Sequence, residues 1–279
     1  MSIRWIATQD DGTDYWPVFA PDGKSVLFTH GPQEKSVLLR YSLSTEEVTL
    51  FITSPPPGLT IQTRPDWSRS SPYSVAFVGN GIWLADQDGG NCHLLPGTER
   101  MTYPSWFPGG RSLAVMDTSK PSTMKISLEG TTLGPLSPKD LFTGMPSVNQ
   151  WNPFRIVFPG QPAEGVYNQN HNRIWISDDD GTTARRLDVA QGRAPWWSPD
   201  GSLIAFESDR SGEGYAIYVA TPDGAVVVRL TDPAIGAQHP KWSPDSKQIV
   251  FAGHPIPESP FKIGILSLSD IPQLNGLLA

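Results

Sequence analysis

The sequence predicts an all-β protein: a six-bladed β-propeller of four-stranded antiparallel blades in a single domain over residues 1–279, its ring closed by the N-terminal strand (residues 3–8) in the last blade. Three observations predict it. A pattern of the form Pro-x-Trp-Ser-Pro-Asp-Gly is complete at Pro195–Gly201 and recurs in worn form five more times. The aromatic that precedes each turn falls at Phe19, Trp67, Trp106, Trp151, Trp197 and Trp242, spaced 48, 39, 45, 46 and 45 residues apart, which is a blade-sized period. A single unit of this size cannot bury its own apolar faces, so the copies must stack. Finally, the 28 Pro and 26 Gly residues recur at fixed offsets beside Trp, Phe and Ile rather than in tracts, so they punctuate turns instead of signalling disorder.

The first blade has its aromatic at Phe19, the turn Pro21-Asp22-Gly23, a second strand around Val26-Leu27-Phe28, then Leu38 to Leu43 and Val48 to Phe51. In such a turn proline presets φ, Asp bonds its own backbone and Gly supplies positive φ. The second blade runs from Trp67 through Phe77 to Ile82–Ala85, turns at Asp88-Gly89 and returns at Leu94-Leu95. The third runs from Trp106 through Val115 to Met124–Leu128 and Thr132–Leu136. In the fourth, Phe158 follows Trp151 by only seven residues where other blades show nine or ten, so a shortened turn is expected; Ile174–Ser177 then turns at Asp180-Gly181 towards Arg186-Leu187. The fifth is the clearest, with Ile204–Phe206, Ile217–Ala220, a turn at Asp223-Gly224 and Arg229-Leu230. Three Asp-Gly pairs at one register are a hairpin signal, and the β-branched and aromatic runs between turns suit buried strands.

The sixth blade has Pro240–Ser243, residues 248–253 and Lys262–Leu268, but 269–279 offers no fourth strand. Ile3 to Thr8 resembles the outer-strand segment before the next blade, so it is expected to fill that place and protect the open edges.

Composition narrows the functional classes. The formal charge is −7, from 21 basic and 28 acidic residues, and no basic run could neutralise a row of phosphates, which excludes nucleic acid as the expected partner. The one cysteine, Cys92, excludes an internal disulfide and a thiolate zinc site. No apolar run approaches the 18 residues of a membrane span. The N-terminal segment lacks a signal pattern, so the chain as given is expected to be a cytoplasmic monomer, or periplasmic if a signal lies outside it.

The repeat Pro-x-Trp-Ser-Pro-Asp-Gly, then Ile-Ala-Phe, Ile-Tyr-Val and Arg-Leu-Thr, resembles that of the TolB-like six-bladed propellers. The fifth blade matches it throughout, at Pro195–Gly201, Ile204–Phe206, Ile217–Val219 and Arg229–Thr231. For TolB proteins themselves the resemblance implies a periplasmic propeller that binds a lipoprotein partner. The repeats are also similar to propellers of prolyl-oligopeptidase-type enzymes and of oligogalacturonate lyases, and the former need a Gly-x-Ser-x-Gly elbow that this sequence lacks. Because these motif residues build blades, they point to fold rather than activity.

With four strands A to D per blade, A–B and C–D turns lie on one face, and B–C and D–A loops on the other. The second set varies in length, from Gly79-Asn80-Gly81 to about a dozen residues over Gly160–Asn172, and variable loops on a rigid scaffold are where sites lie. Residues one ahead of the strand-A proline should enter the central funnel there: Trp16, Arg64, Tyr103, Val148, Ala194 and His239. Two ahead stand Tyr15, Thr63, Thr102, Ser147, Arg193 and Gln238. Tyr15, Trp16, Arg64, Tyr103, Arg193, Gln238 and His239 are therefore the expected ligand-binding set, suited to an anionic or sugar-like ligand by bidentate pairing and stacking.

No cofactor is predicted. His30, His171, His239 and His254 all fall in loops on this face, which leaves a divalent metal in the funnel open, with His239 and Gln238 as ligands. Ser177–Gly181 is acidic like a calcium loop, but its register makes it a hairpin turn without the spaced carboxylates of a hand loop. Asp209–Glu213 is a charge-compensated polar loop, and the repeat tryptophans are expected as inter-blade core. The leading expectation is a binding module presenting its variable face to a protein or peptide. The alternative is a lyase or hydrolase acting on a small anionic or carbohydrate substrate through His239 with Arg64, Arg193 and Tyr103.

Overall fold

The computed structural model describes residues 2–274 except 7, 9–11, 71, 179, 188, 190 and 270. Within each repeat the two middle strands are covered on both faces by neighbouring blades, so their sequences are apolar without alternation. In the fifth blade Ile204–Ser208 and Ala216–Ala220 are buried along their whole length, while the outer strand Val227–Arg229 is half covered and more polar.

Six antiparallel sheets result. The first four-stranded blade is Asp14–Phe19, Ser25–His30, Val37–Ser42 and Val48–Leu50. The second is Thr63–Trp67, Ser74–Val78, Ile82–Asp86 and His93–Leu94, and the third Met101–Trp106, Ser112–Asp117, Ser122–Ser127 and Thr132–Pro135. The fifth adds Arg193–Trp197 to the three strands above, and the sixth combines Gln238–Trp242, Gln248–Gly253 and Lys262–Ser267 with Ile3–Trp5. The N-terminal segment thus closes the ring as expected, as a strand over Ile3–Trp5 rather than 3–8, of which residue 7 lies outside the described residues; Ile3 is opposite Leu266 and Trp5 opposite Gly264, and the Ile6 N–H extends the ladder to the Ile263 carbonyl.

The fourth blade corrects the sequence reading. Its strand A is split into Leu141–Thr143 and Ser147–Val148, both paired with Arg155–Pro162, and Val148 opposite Ile156 occupies the place that Trp197 opposite Ile204 has in the fifth blade. Val148, not Trp151, is the repeat position. From Val148 the spacing to Phe158 is ten residues, as from Trp67 to Phe77, so no turn is shortened. Trp151 instead packs edge-on against Trp197 at 5.4 Å and closes over Gly201 of the next blade. Trp67, Trp106, Trp197 and Trp242 are buried between blades as expected.

Neighbouring blades are also stitched by hydrogen bonds near the axis. The residue before the repeat position accepts from the next blade's backbone: Trp106 N–H donates to Asp66 Oδ2 (3.0 Å), Val148 N–H to Ser105 Oγ (3.1 Å) and Trp197 N–H to Ser147 Oγ (3.2 Å). These acceptors satisfy buried amides at the junction where strand A of one blade meets that of the next. Among the described residues no helix is long and apolar enough to cross a membrane.

Candidate functional site

The site is built by a defect repeated around the ring. In five blades the pairing of strands A and B slips at an X-Pro dipeptide, between Tyr15 and Val18, Thr63 and Asp66, Thr102 and Ser105, Arg193 and Trp196, and Gln238 and Lys241. Proline has no N–H for the ladder, and a bulge absorbs the missing bond. The residue before each proline adopts a left-handed φ: 53° at Trp16, 52° at Arg64, 53° at Tyr103, 44° at Met145, 45° at Ala194 and 57° at His239. This conformation is unfavourable for such side chains, so its sixfold recurrence is imposed by the surrounding fold.

The five bulges, and the break between the two pieces of strand A in the fourth blade, bring all six side chains to the axis, where with five of the prolines they border a cavity of about 40 Å³. The sixth of them is Met145. Val148 and Ser147, expected to stand at the funnel, are fully packed strand residues instead, for the reason given by the fourth blade's register. Trp16 stacks on His239 with ring centroids 3.5 Å apart and meets Tyr103 edge-on at 5.3 Å. Arg64 is seated over both, its Cζ 4.9 Å from the Trp16 ring and 4.7 Å from that of Tyr103. About 40 Å³ holds one water or little more, so these side chains nearly fill the funnel.

Above them lies a second pocket of about 310 Å³ on the face of the B–C and D–A loops. Its lining includes Tyr15, Trp16, Arg64, Gln238 and His239, together with Thr29, Gln33, Ser36 and Thr63. Five of the seven expected ligand residues are thus brought together there, and Tyr103 lies in the layer beneath. Arg193 is not free to join them. Its Nη2 is 2.8 Å and its Nε 2.9 Å from Oε1 of the buried Glu207, and its Cζ sits 4.2 Å from the centre of the Tyr215 ring. The other Glu207 oxygen accepts the His239 backbone N–H at 2.7 Å. Burial pushes the Glu207 carboxyl up, opposed by Arg193. His239 is buried, and first that burial and then Arg193, Arg64 and Lys241 hold its imidazole well below 6.5, so it is neutral at pH 7.

A deeper layer was not anticipated from the sequence. Lys241 Nζ lies 3.1 Å from the centre of the Trp196 ring and 3.4 Å from Asp66 Oδ1, joining the sixth blade to the second across the axis. Burial lowers the Lys241 ammonium to about 8, and burial raises the Asp66 carboxyl. The available signal was the residue before the repeat aromatic, which is Val18, Ser105, Ser147 or Trp196 elsewhere but charged at Asp66 and Lys241.

A metal centre does not fit these residues. His239 lies flat on Trp16, its Nδ1 faces Glu207 Oε2 at 3.3 Å, and both oxygens of that carboxylate are already engaged. The other loop histidines do not converge on it: His30 pairs with Asp14 at 2.7 Å and His254 Nδ1 meets the Ser259 carbonyl. Among the described residues no three His, Cys, Asp or Glu side chains are grouped to hold a metal ion. At Ser177–Gly181, of which residue 179 lies outside the described residues, the acids serve the turn: Asp180 Oδ1 accepts from Thr182 N–H (2.9 Å) and Asp178 Oδ2 from Thr183 Oγ1.

The family described as the TolB beta propeller domain matches residues 70–270. An uncharacterized protein of Agrobacterium fabrum, Atu1656, is 31% identical over 150 residues, 53% of this chain and 49% of that protein, and this chain spans about half or less of the length of the curated relatives it matches. Among solved structures, TolB from Acinetobacter baumannii superposes with a TM-score of 0.62 at 17% identity, covering 94% of this chain and 65% of that one. An oligogalacturonate lyase in complex with manganese does so at 0.61 and 14%, covering 96% and 93%. At these identities the two structures agree in fold alone.

Proposed function

The chain belongs to the TolB beta propeller domain family, and from that premise we propose that it is a binding module that receives a protein or peptide partner on the face of its B–C and D–A loops. The observation that carries this reading is the filled axis. A cavity of about 40 Å³ admits no substrate, whereas the face above it offers a polar pocket of about 310 Å³. Val166 and Ile256, at the tips of the fourth and sixth B–C loops, add apolar side chains 91% and 69% exposed. A ring with a narrow, nearly filled centre and variable, partly apolar loops is built to read a surface.

A display selection of random peptides on the immobilised propeller tests this. Enriched peptides should lose binding to a Val166→Asp/Ile256→Asp variant. Peptides that bind this variant and the parent equally, and are competed only from the opposite face, would sink the reading. One arrangement supports the enzymatic alternative: a neutral His239 beside the cationic Arg64 at one pocket, suited to a small anionic sugar acid. Formation of unsaturated product from oligogalacturonate, followed by ultraviolet absorbance and lost in His239→Gln, would favour it over binding alone.

A further inference from the structure

Unlike Arg193 and Lys241, Arg64 has no acidic partner among the described residues. Arg193 is held by Glu207 and Lys241 by Asp66, but the Arg64 side chain makes no hydrogen bond or ion pair among the described residues. Its Nε is buried without a partner, while its terminal nitrogens are not sealed off. The guanidinium is fixed against Trp16 and Tyr103, so its rotamer is settled before any ligand arrives. Preorganisation of this kind lowers the entropic cost of binding.

The pocket above it has a matching character. In a chain of net charge −7, no Asp or Glu among the described residues lines it, and with His239 neutral Arg64 carries the only charge of the described lining. Thr29, Thr63, Gln33 and Gln238 supply hydroxyl and amide groups, and Ile61 with Val78 an apolar wall. A volume of about 310 Å³ equals roughly ten waters, room for a short chain end but not for a folded element.

We propose that this pocket, between the first two blades, is a subsite for the terminal carboxylate of a peptide, with the two terminal nitrogens of Arg64 pairing end-on with its oxygens. The pairing is the bidentate fork that guanidinium makes with carboxylate. The neighbouring hydroxyls and amides are left for the last peptide groups, and the apolar wall for a small side chain. This assignment rests on the binding-module reading and specifies the group that anchors the partner.

Saturation-transfer NMR with N-acetyl-Ala-Ala as the free acid, the same dipeptide as its C-terminal amide, and acetate tests it on the intact propeller. The free acid should bind, and both the amide and an Arg64→Gln variant should lose at least about tenfold in affinity, the scale of one charged hydrogen bond. Arg64→Lys should retain part of the binding, and Arg111→Gln, in the third blade's A–B turn on the opposite face, all of it. Equal binding of acid and amide by the unaltered protein overturns the proposal whether or not the variants fold; acetate binding as tightly as the dipeptide acid overturns its assignment to a chain end. Displayed peptides that need the loop tips but ignore Arg64→Gln would remove the subsite and leave the binding module standing. Free-acid binding without any displayed peptide mapping to this face would do the reverse.

Discussion

Around His239, burial and three cations act in one direction, against the imidazolium form. The ring lies on Trp16 at 3.5 Å, with Arg64, Arg193 and Lys241 as the nearby positive groups and the carboxylate of Glu207, paired with Arg193, on its Nδ1 side. The folded protein therefore leaves His239 unprotonated at a pH where the unfolded chain, with a value near 6.5, takes up a proton. More protons on the unfolded state mean that stability falls as pH falls. Thermal melts between pH 7 and pH 5 should show a fall in melting temperature that is shallower in a His239→Gln variant. An identical pH slope for the two proteins would refute the assignment of a neutral, buried histidine. At this scale the sequence put His239 at the axis, where the structure has it, but could not tell that Arg193 is engaged and Arg64 is not, because the distinction rests on Glu207, fourteen residues away and opposite Arg193 on the next strand.

Strands and turns carry a second function that their sequence signals do not announce. Asp88-Gly89 reads as a hairpin turn, and Gly89 does have φ of +87°, yet a β-carbon there would also lie 2.0 Å from the Phe51 carbonyl oxygen of the first blade. The glycine thus permits both the turn and the approach of two blades. Gly89→Ala should cost more than the roughly 1 kcal/mol of an ordinary Gly-to-Ala change at positive φ, read as a shift of the urea midpoint. A cost below that would show the blades are free to separate locally. The element scale is also where the sequence misled: Trp151 carries the residue type of the repeat but stands three positions from the register, and Val148 performs the packing. Pattern matching follows residue identity, whereas the pairing of Val148 with Ile156 follows strand register, and only the second decides which side chain, here Met145, reaches the axis. The other five axial residues were legible because their X-Pro step and their aromatic agree.

For the whole ring, stability depends on one junction between the chain's two ends. The sixth blade takes its outer strand from Ile3–Trp5, and Trp5 meets Phe251 edge-on at 5.7 Å within the apolar cluster shared by the fifth and sixth blades. Without that strand, Lys262–Ser267 would be an open edge with unpaired backbone groups, a template for association with another chain. Every other blade is continuous in sequence, so this is the place where the ring is held by non-covalent pairing alone. Removing residues 1–6 should therefore lower the unfolding midpoint and produce concentration-dependent species larger than the 30.5 kDa monomer expected of the intact chain, measured by light scattering after size exclusion. Substituting Trp5→Ala keeps the backbone ladder and removes only the ring contact, so it should weaken the fold without promoting association. A truncated chain that stays monomeric and melts like the intact one would mean that packing between the first and sixth blades closes the ring without the strand; the buried cluster that Phe28 shares with Val250 and Ile263 makes that the competing mechanism. The pair of variants separates the two, because pairing predicts association only for the truncation, while packing predicts it for neither.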